Sequence, residues 1–92
     1  MIIETKFNFG DKVYIISHTE YNKWFCISDC MTIKSVAIII EDNRYKMIRY
    51  DIIGENGGAI IIAHEEDIFK SLDEARRECA IRDSNFNRSN QQ

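Results

Sequence analysis

The chain has 92 residues, enough for a single domain, and a formal net charge of −3. A domain of this size buries only about 60% of the surface of its unfolded chain, which disfavours a deep catalytic cleft. The Lys and Arg residues are spread among Asp and Glu, so the sequence does not indicate the clustered basic face that binds nucleic acid.

The aliphatic residues indicate a sheet. The chain contains seventeen Ile, a single Leu at position 72 and no Pro. Because Ile is β-branched and stiff at χ1, it suits the pleated surface of a sheet better than a helix. The longest apolar stretches, 36–40 and 59–63, have five residues each, whereas a membrane span needs about 20. We therefore expect a β-rich protein that does not enter a membrane.

Cysteine usage bears on the cellular compartment. The three cysteines, Cys26, Cys30 and Cys79, cannot all pair within one chain, and no signal segment precedes the first predicted strand. These features are typical of proteins from a reducing compartment. We expect the cytoplasm of a bacterial host.

The first half of the chain predicts two or three strands. A Gly10-Asp11 turn signal leads into a β-branched and aromatic run, which predicts a strand at about 12–17. Residues 18–31 have no clear period and predict a long loop with a short strand near 24–27.

The clearest hairpin follows, with strands at 32–41 and 45–50 around a turn at 42–44. Val36, Ile38 and Ile40 share one face by the period of two, and Tyr45 and Met47 are predicted to share a face that meets it. A further turn at 54–58 leads into a strand at 59–63.

After His64 the pattern becomes helical. Residues 65–69 fit one helical turn, and Ser71 with Glu74 forms a capping box that predicts a helix from about 72 to 83. Its apolar stripe consists of Leu72, Ala75 and Cys79. The expected fold is mainly β (β-rich α+β): a small five-stranded antiparallel barrel with a short C-terminal helix. One domain spans 1–83, and 84–92 form a polar flexible tail.

Three groups of residues form a recognisable order along the chain: Phe7, Gly10, Asp11, Val13, Tyr14 and Ile16; then Ile33, Val36, Ile38, Ile40 and Tyr45; then Glu65, Asp67, Ile68, Phe69, Ser71, Glu74 and Ala75. This order resembles the small Src-homology-type barrel proteins of bacteriophages and mobile elements. These proteins are similar in size and character to anti-CRISPR and other anti-defence inhibitors. The resemblance implies a barrel fold, a phage or mobile-element origin and action by covering a surface of a host enzyme, not a reaction.

Two groups of residues could form chemical sites. Cys26 and Cys30, with His18, His64 or Cys79, could supply four zinc ligands, but a single C-x3-C pair is a weak signal and free thiols are the simpler interpretation. A Cys nucleophile with His64, or the carboxylates at 65–67, could suggest catalysis, but a structural histidine and a helix-start charge cluster are the simpler interpretations. We predict no catalytic residue, metal or cofactor.

The most informative stretch for binding is 21–25. Tyr21, Lys23, Trp24 and Phe25 put aromatic side chains and a cation in a predicted loop, and aromatic residues dominate binding hot spots. The alternative is that Trp24 and Phe25 plug the end of the barrel.

The sequence thus favours a non-enzymatic protein-interaction module that binds a host or phage protein, and the resemblance implies that it inhibits a host defence nuclease or related factor. The alternative is a small nucleic-acid-binding accessory protein, with Trp24 and Tyr21 stacking on bases. Self-association into a homodimer stays open. Phosphate contacts in the alternative would come from Lys12, Lys23, Lys34, Lys46 and Arg49.

Overall fold

The computed structural model describes residues 3–90, and within this range the side chains of all residues except 45, 46 and 85–90. The mainly β class is confirmed, and the predicted strands and helix start all form within a few residues of their expected places. The elements are β1 (Lys12–His18), β2 (Trp24–Cys26), β3 (Met31–Glu41), β4 (Arg44–Gly54), β5 (Ile61–His64), a 3₁₀ turn (Glu65–Asp67), β6 (Ile68–Phe69) and α1 (Leu72–Asn90).

All strand pairs in the sheet are antiparallel, in the order β2-β1-β3-β4-β5, with β6 paired to β1. The sheet therefore has six strands where five were predicted. Within residues 3–90 the sheet is not closed, so the predicted barrel is not confirmed. The 3₁₀ turn separates β5 from β6, and only the two residues of β6 pair with β1.

The predicted helical turn at 65–69 is only partly correct. Residues Glu65–Asp67 are helical, whereas Ile68 and Phe69 are extended and pair with Ile15 and Tyr14. The side chain of Ile68 is completely buried. Burial of this side chain against the sheet outweighs the helical preference of the acidic residues before it.

The β3–β4 hairpin turns through two residues, Asp42 and Asn43, with φ values of 53° and 62°. Both lie in the left-handed region that a tight hairpin turn requires and that Asp and Asn tolerate. The predicted packing of Met47 against the face of Val36 is wrong. The register shifts near the turn and places Met47 opposite Ile39, on the other face of the hairpin. Tyr45 pairs in register with Ile40, and its side chain lies outside the described residues.

The core has two parts. The larger cluster packs on one side of the sheet and includes Phe7, Ile33, Tyr50 and Ile68. A smaller cluster of Ile16, Ala75 and Cys79 joins α1 to the sheet, with Tyr14, Trp24, Cys26 and Phe69 packed around it. The predicted inner positions Ala75 and Cys79 are therefore confirmed.

The start of α1 agrees with the predicted cap, because the Glu74 backbone N–H donates to Ser71 Oγ at 3.2 Å. The helix does not end near 83 as predicted but continues to Asn90. The division of the chain into a domain at 1–83 and a flexible tail at 84–92 stays a prediction, and residues 91–92 lie outside the described range. Among the described residues, no helix is both long and apolar enough to cross a membrane.

A hydrogen-bond network centred on Tyr50 and Glu65 holds the N-terminal segment to the sheet. Tyr50 Oη donates to Glu65 Oε2 at 2.6 Å and accepts from the Phe7 backbone N–H at 3.2 Å. The Lys6 backbone N–H donates to the same Glu65 oxygen at 3.1 Å. The ring of Phe7 packs edge-on against Tyr50, with 5.6 Å between ring centroids. The network thus ties the 3₁₀ turn, β4 and residues 6–7 together.

Candidate binding groove

The alternation of β2 separates the aromatic residues that the sequence grouped as a binding site. β2 pairs with β1 so that Trp24 lies opposite His18 and Phe25 opposite Ser17. Trp24 and Cys26 belong to the cluster beneath α1, whereas Phe25 points to the other face and is 45% exposed. Neighbouring side chains of a strand point to opposite faces, so Trp24 and Phe25 cannot act on one surface.

Trp24 is held by α1. Its backbone N–H donates to Asp83 Oδ1 at 2.9 Å, and the Arg82 guanidinium lies 4.3 Å from the centroid of its ring. Arg82 also binds Asp67 at 2.7 Å and Glu78 at 3.0 Å. Burial lowers the Arg82 pKa, but these carboxylates outweigh that effect and raise it above its ordinary value. Trp24 is thus a packing residue of the helix interface, with one ring face covered by a cation.

Tyr21 and Lys23 lie in the short connection between β1 and β2. The Thr19 side-chain oxygen accepts the backbone N–H groups of Tyr21 and Lys23 at 3.2 and 3.3 Å, and Asn22 adopts a left-handed φ of 60°. The side chain of Tyr21 is 78% exposed. The tip is therefore an ordered turn that presents Tyr21 to solvent, away from the contacts of Trp24.

Phe25 lines an apolar groove of about 320 Å³ between the β1–β2 hairpin and β5. On the hairpin side the groove is bordered by His18, Phe25 and Ile27, and on the other side by Ile61, Ile62 and His64. Ile62 is 57% exposed. The groove therefore offers apolar surface with imidazole groups at its margin, a composition typical of binding sites.

Two strand edges border this groove. Within residues 3–90, β5 pairs only with β4, and β2 pairs only with β1. An unpaired strand edge carries backbone N–H and C=O groups that can pair with another extended chain. The edge of β2 is partly occupied, because the Trp24 backbone N–H donates to Asp83 Oδ1. The edge of β5 therefore supplies the backbone groups with which an added strand could pair.

The sequence did not indicate that β5 contributes to a site. Its run of isoleucines predicts a strand, but a strand is left at an edge only by the arrangement of the others. Ile27 and the β5 residues were therefore missed. The alternation expected of a strand at 24–26 predicts that Trp24 and Phe25 point to opposite faces.

The candidate metal ligands and catalytic residues do not come together at one site. In the described part of the chain, no three His, Cys, Asp or Glu side chains are arranged to hold a metal ion. Cys26 packs near Cys79 beneath α1, and burial raises the pKa of both thiols. Cys30 instead lines a polar pocket with Asp29 and Glu55. A raised pKa keeps a thiol protonated and a poor nucleophile.

The acidic residues after His64 have structural partners. Glu65 accepts hydrogen bonds from Tyr50 and the Lys6 backbone, and Asp67 binds Arg82. His64 lies opposite Arg49 in the β4–β5 register. The carboxylates of Glu65 and Asp67 therefore have structural roles in these contacts.

Comparison of the chain with models of protein families, with curated proteins and with solved structures found no match. The resemblance to Src-homology-type barrel proteins therefore stays a prediction.

Proposed function

We propose that the chain is a non-enzymatic protein-interaction module whose apolar groove between β2 and β5 binds an extended segment of a partner protein. The observation that carries the proposal is the meeting of an exposed aromatic side chain, Phe25, with the outer edge of β5 across the groove. An added strand would satisfy backbone groups of β5 and place alternate side chains against Phe25 and Ile27.

The apolar contacts give a scale for the affinity. Burying a side chain of the size of Phe or Ile contributes about 1.5–3 kcal/mol. Phe25 is about half exposed before binding, so roughly half of that contribution, about 1 kcal/mol, remains to be gained. A charge placed there would add a desolvation cost, and about 1.4 kcal/mol corresponds to a tenfold loss of affinity.

The experiment compares Phe25→Glu with wild type and with Phe9→Glu in affinity capture from a bacterial lysate. Phe9 is a matched control because it is also an exposed phenylalanine, at 78%, and does not line the groove. We expect a retained protein that is lost with Phe25→Glu and kept with Phe9→Glu. A photo-crosslinking residue at position 25 should then attach to one short segment of that protein. Equal retention by all three proteins would contradict the proposal.

The partner class follows from the resemblance noted in the sequence. We propose a bacterial defence nuclease or related factor as the partner and a phage or mobile element as the source of the chain. Expression of the chain in a host with an active defence system should lower interference with an incoming phage. The Phe25→Glu variant should restore that interference. Protection that survives this substitution would separate the inhibitory role from the groove.

The alternative of nucleic-acid binding is an outcome of the same tests. The Arg82 guanidinium covers one face of Trp24, and Arg49 forms an ion pair with Asp51. Two members of the predicted nucleic-acid surface therefore already have intramolecular partners. Oligonucleotide binding that falls steeply with added salt would favour the alternative, whereas groove-mediated protein binding should change little with salt.

A further inference from the structure

The side of the sheet opposite the core carries a second pattern of residues, which shares only Ile62 with the groove. Along β4, Ile48, Tyr50 and Ile52 are buried in the core, so Met47, Arg49, Asp51 and Ile53 point to the opposite side. Ile39 of β3 and Ile62 of β5 join them there, opposite Met47 and Asp51 in the registers. We call these six residues the outer face. On the same side, Ala37 and His64 flank Arg49, and Ser35 flanks Asp51. α1 packs against β1, β2 and β6, on a different part of the sheet.

The outer face is apolar at both ends and charged in the middle. Arg49 Nε lies 3.9 Å from Asp51 Oδ1, which makes an ion pair but is too long for a hydrogen bond. Both atoms are shielded from solvent and have no hydrogen-bond partner. The other carboxylate oxygen of Asp51 accepts from Ser35 Oγ at 2.8 Å. The Arg49 and Asp51 side chains are nevertheless 39% and 29% exposed, so the accessible part of each can make a further charged contact.

The order of these residues makes the outer face complementary to itself. Along β4 it runs apolar, cation, anion, apolar, and Tyr50 marks the centre. A twofold axis that crosses the strands at Tyr50 would place Arg49 opposite Asp51 of a second copy, and Met47 opposite Ile53 of that copy. A twofold interface uses the same surface on both subunits, and this pattern meets that requirement. We propose that the outer face is a contact between two copies of the chain, which form a reversible homodimer.

The area of the outer face indicates how tightly the two copies should bind. Three strands about 4.8 Å apart and a β4 segment of about 20 Å give a flat area of roughly 300 Å² on each copy. The total lies below the roughly 1,000 Å² of a stable interface, so we expect a weak, concentration-dependent dimer. Opposite charges meeting at the centre would fix the register of the two copies.

The test is charge exchange, measured by sedimentation equilibrium from about 10 µM to about 1 mM protein, where weak interfaces associate. Wild type should shift from monomer to dimer over this range. Arg49→Asp or Asp51→Arg alone places like charges together, and each should dimerise at least about tenfold more weakly. The double variant inverts both charges and keeps the pattern, so it should regain dimerisation. An equimolar mixture of the two single variants should form a heterodimer.

Two further variants serve as a control and as a second test of the outer face. Arg77→Asp changes a charge on the exposed side of α1 and should dimerise as wild type does. Ile62→Ser removes an exposed side chain, at 57% exposure, so it should weaken the dimer without preventing folding. Circular dichroism establishes that each variant is folded. A wild-type monomer at every concentration, or a double variant as weak as the single ones, would overturn the proposal. Phe25→Glu should leave the dimer unchanged, which separates this test from that of the groove.

Discussion

The Tyr50 hydroxyl allows a quantitative prediction, because a single oxygen links β4, the 3₁₀ turn and the N-terminal segment. Tyr50→Phe keeps the buried ring but removes the donor to Glu65 and the acceptor for the Phe7 N–H. A hydrogen bond to a charged group contributes about 1.5–3 kcal/mol, and a buried N–H left without a partner costs about 1–3 kcal/mol. Since Glu65 keeps the Lys6 N–H, we expect a loss of about 2–4 kcal/mol in the free energy of unfolding.

Urea unfolding at neutral pH measures this loss. With a slope near 1 kcal/mol per molar urea for a chain of this size, the midpoint should fall by about 2 M or more. Tyr21→Phe is the matched control, since Tyr21 is 78% exposed and should leave the midpoint unchanged. A Tyr50→Phe protein within about 0.5 kcal/mol of wild type would refute the reasoning, because surface substitutions commonly fall within that margin.

The same hydroxyl predicts a dependence on alkaline pH. Burial and the hydrogen bond to Glu65 raise the pKa of Tyr50 to about 12 from its ordinary value of 10.0. Below pH 10 the hydroxyl is neutral in both states, so its full contribution is present. Between pH 10 and 12 only the unfolded state ionises, and stability falls by up to about 1.4 kcal/mol per pH unit. The difference in the free energy of unfolding between wild type and Tyr50→Phe should therefore be smaller by about 1 kcal/mol at pH 11 than at neutral pH. If this difference stayed the same between pH 7 and pH 11, the predicted loss of wild-type stability at alkaline pH would be wrong.

Two further substitutions test the attachment of α1. Arg82→Ala removes the ion pairs to Asp67 and Glu78 and the contact with Trp24, so it should cost about 1–3 kcal/mol and shift the emission of the single tryptophan to longer wavelength. Arg77→Ala, on the exposed side of the helix, should do neither. Ser71→Ala removes the cap on the Glu74 N–H and should cost about 1 kcal/mol in thermal unfolding, whereas exposed Ser28→Ala should be neutral. A helix that melts at the same temperature without Ser71 would show that the cap contributes nothing.

The features that local patterns determine were predictable. Alternation and β-branched residues located the strands, and the Ser71 cap located the start of α1. The end of α1 was missed because the polar residues after Asp83 carry no apolar stripe, yet the backbone remains helical to Asn90. Ile68 was assigned to a helical turn because local charge suggested one, whereas its burial against β1 comes from a strand more than fifty residues earlier.

The candidate site was less predictable for the same reason. The sequence indicated Tyr21, Lys23, Trp24 and Phe25, but the second wall of the groove comes from Ile61, Ile62 and His64. Nothing near β5 in the sequence shows that its second edge has no partner strand. The spacing of two residues places Arg49 and Asp51 on the same face of a strand. Their location outside the core follows only from the burial of Tyr50 on the opposite face.

The outer edge of β5 also constrains how this chain can exist at high concentration. Natural edge strands are commonly protected by Lys, by Pro or by a bulge that prevents another chain from adding to them. Ile60 and Ile62 are instead 49% and 57% exposed along this edge, and the chain contains no proline. A strand edge of this kind favours aggregation through added strands. A partner strand that covered the edge would therefore also help to keep the chain in solution.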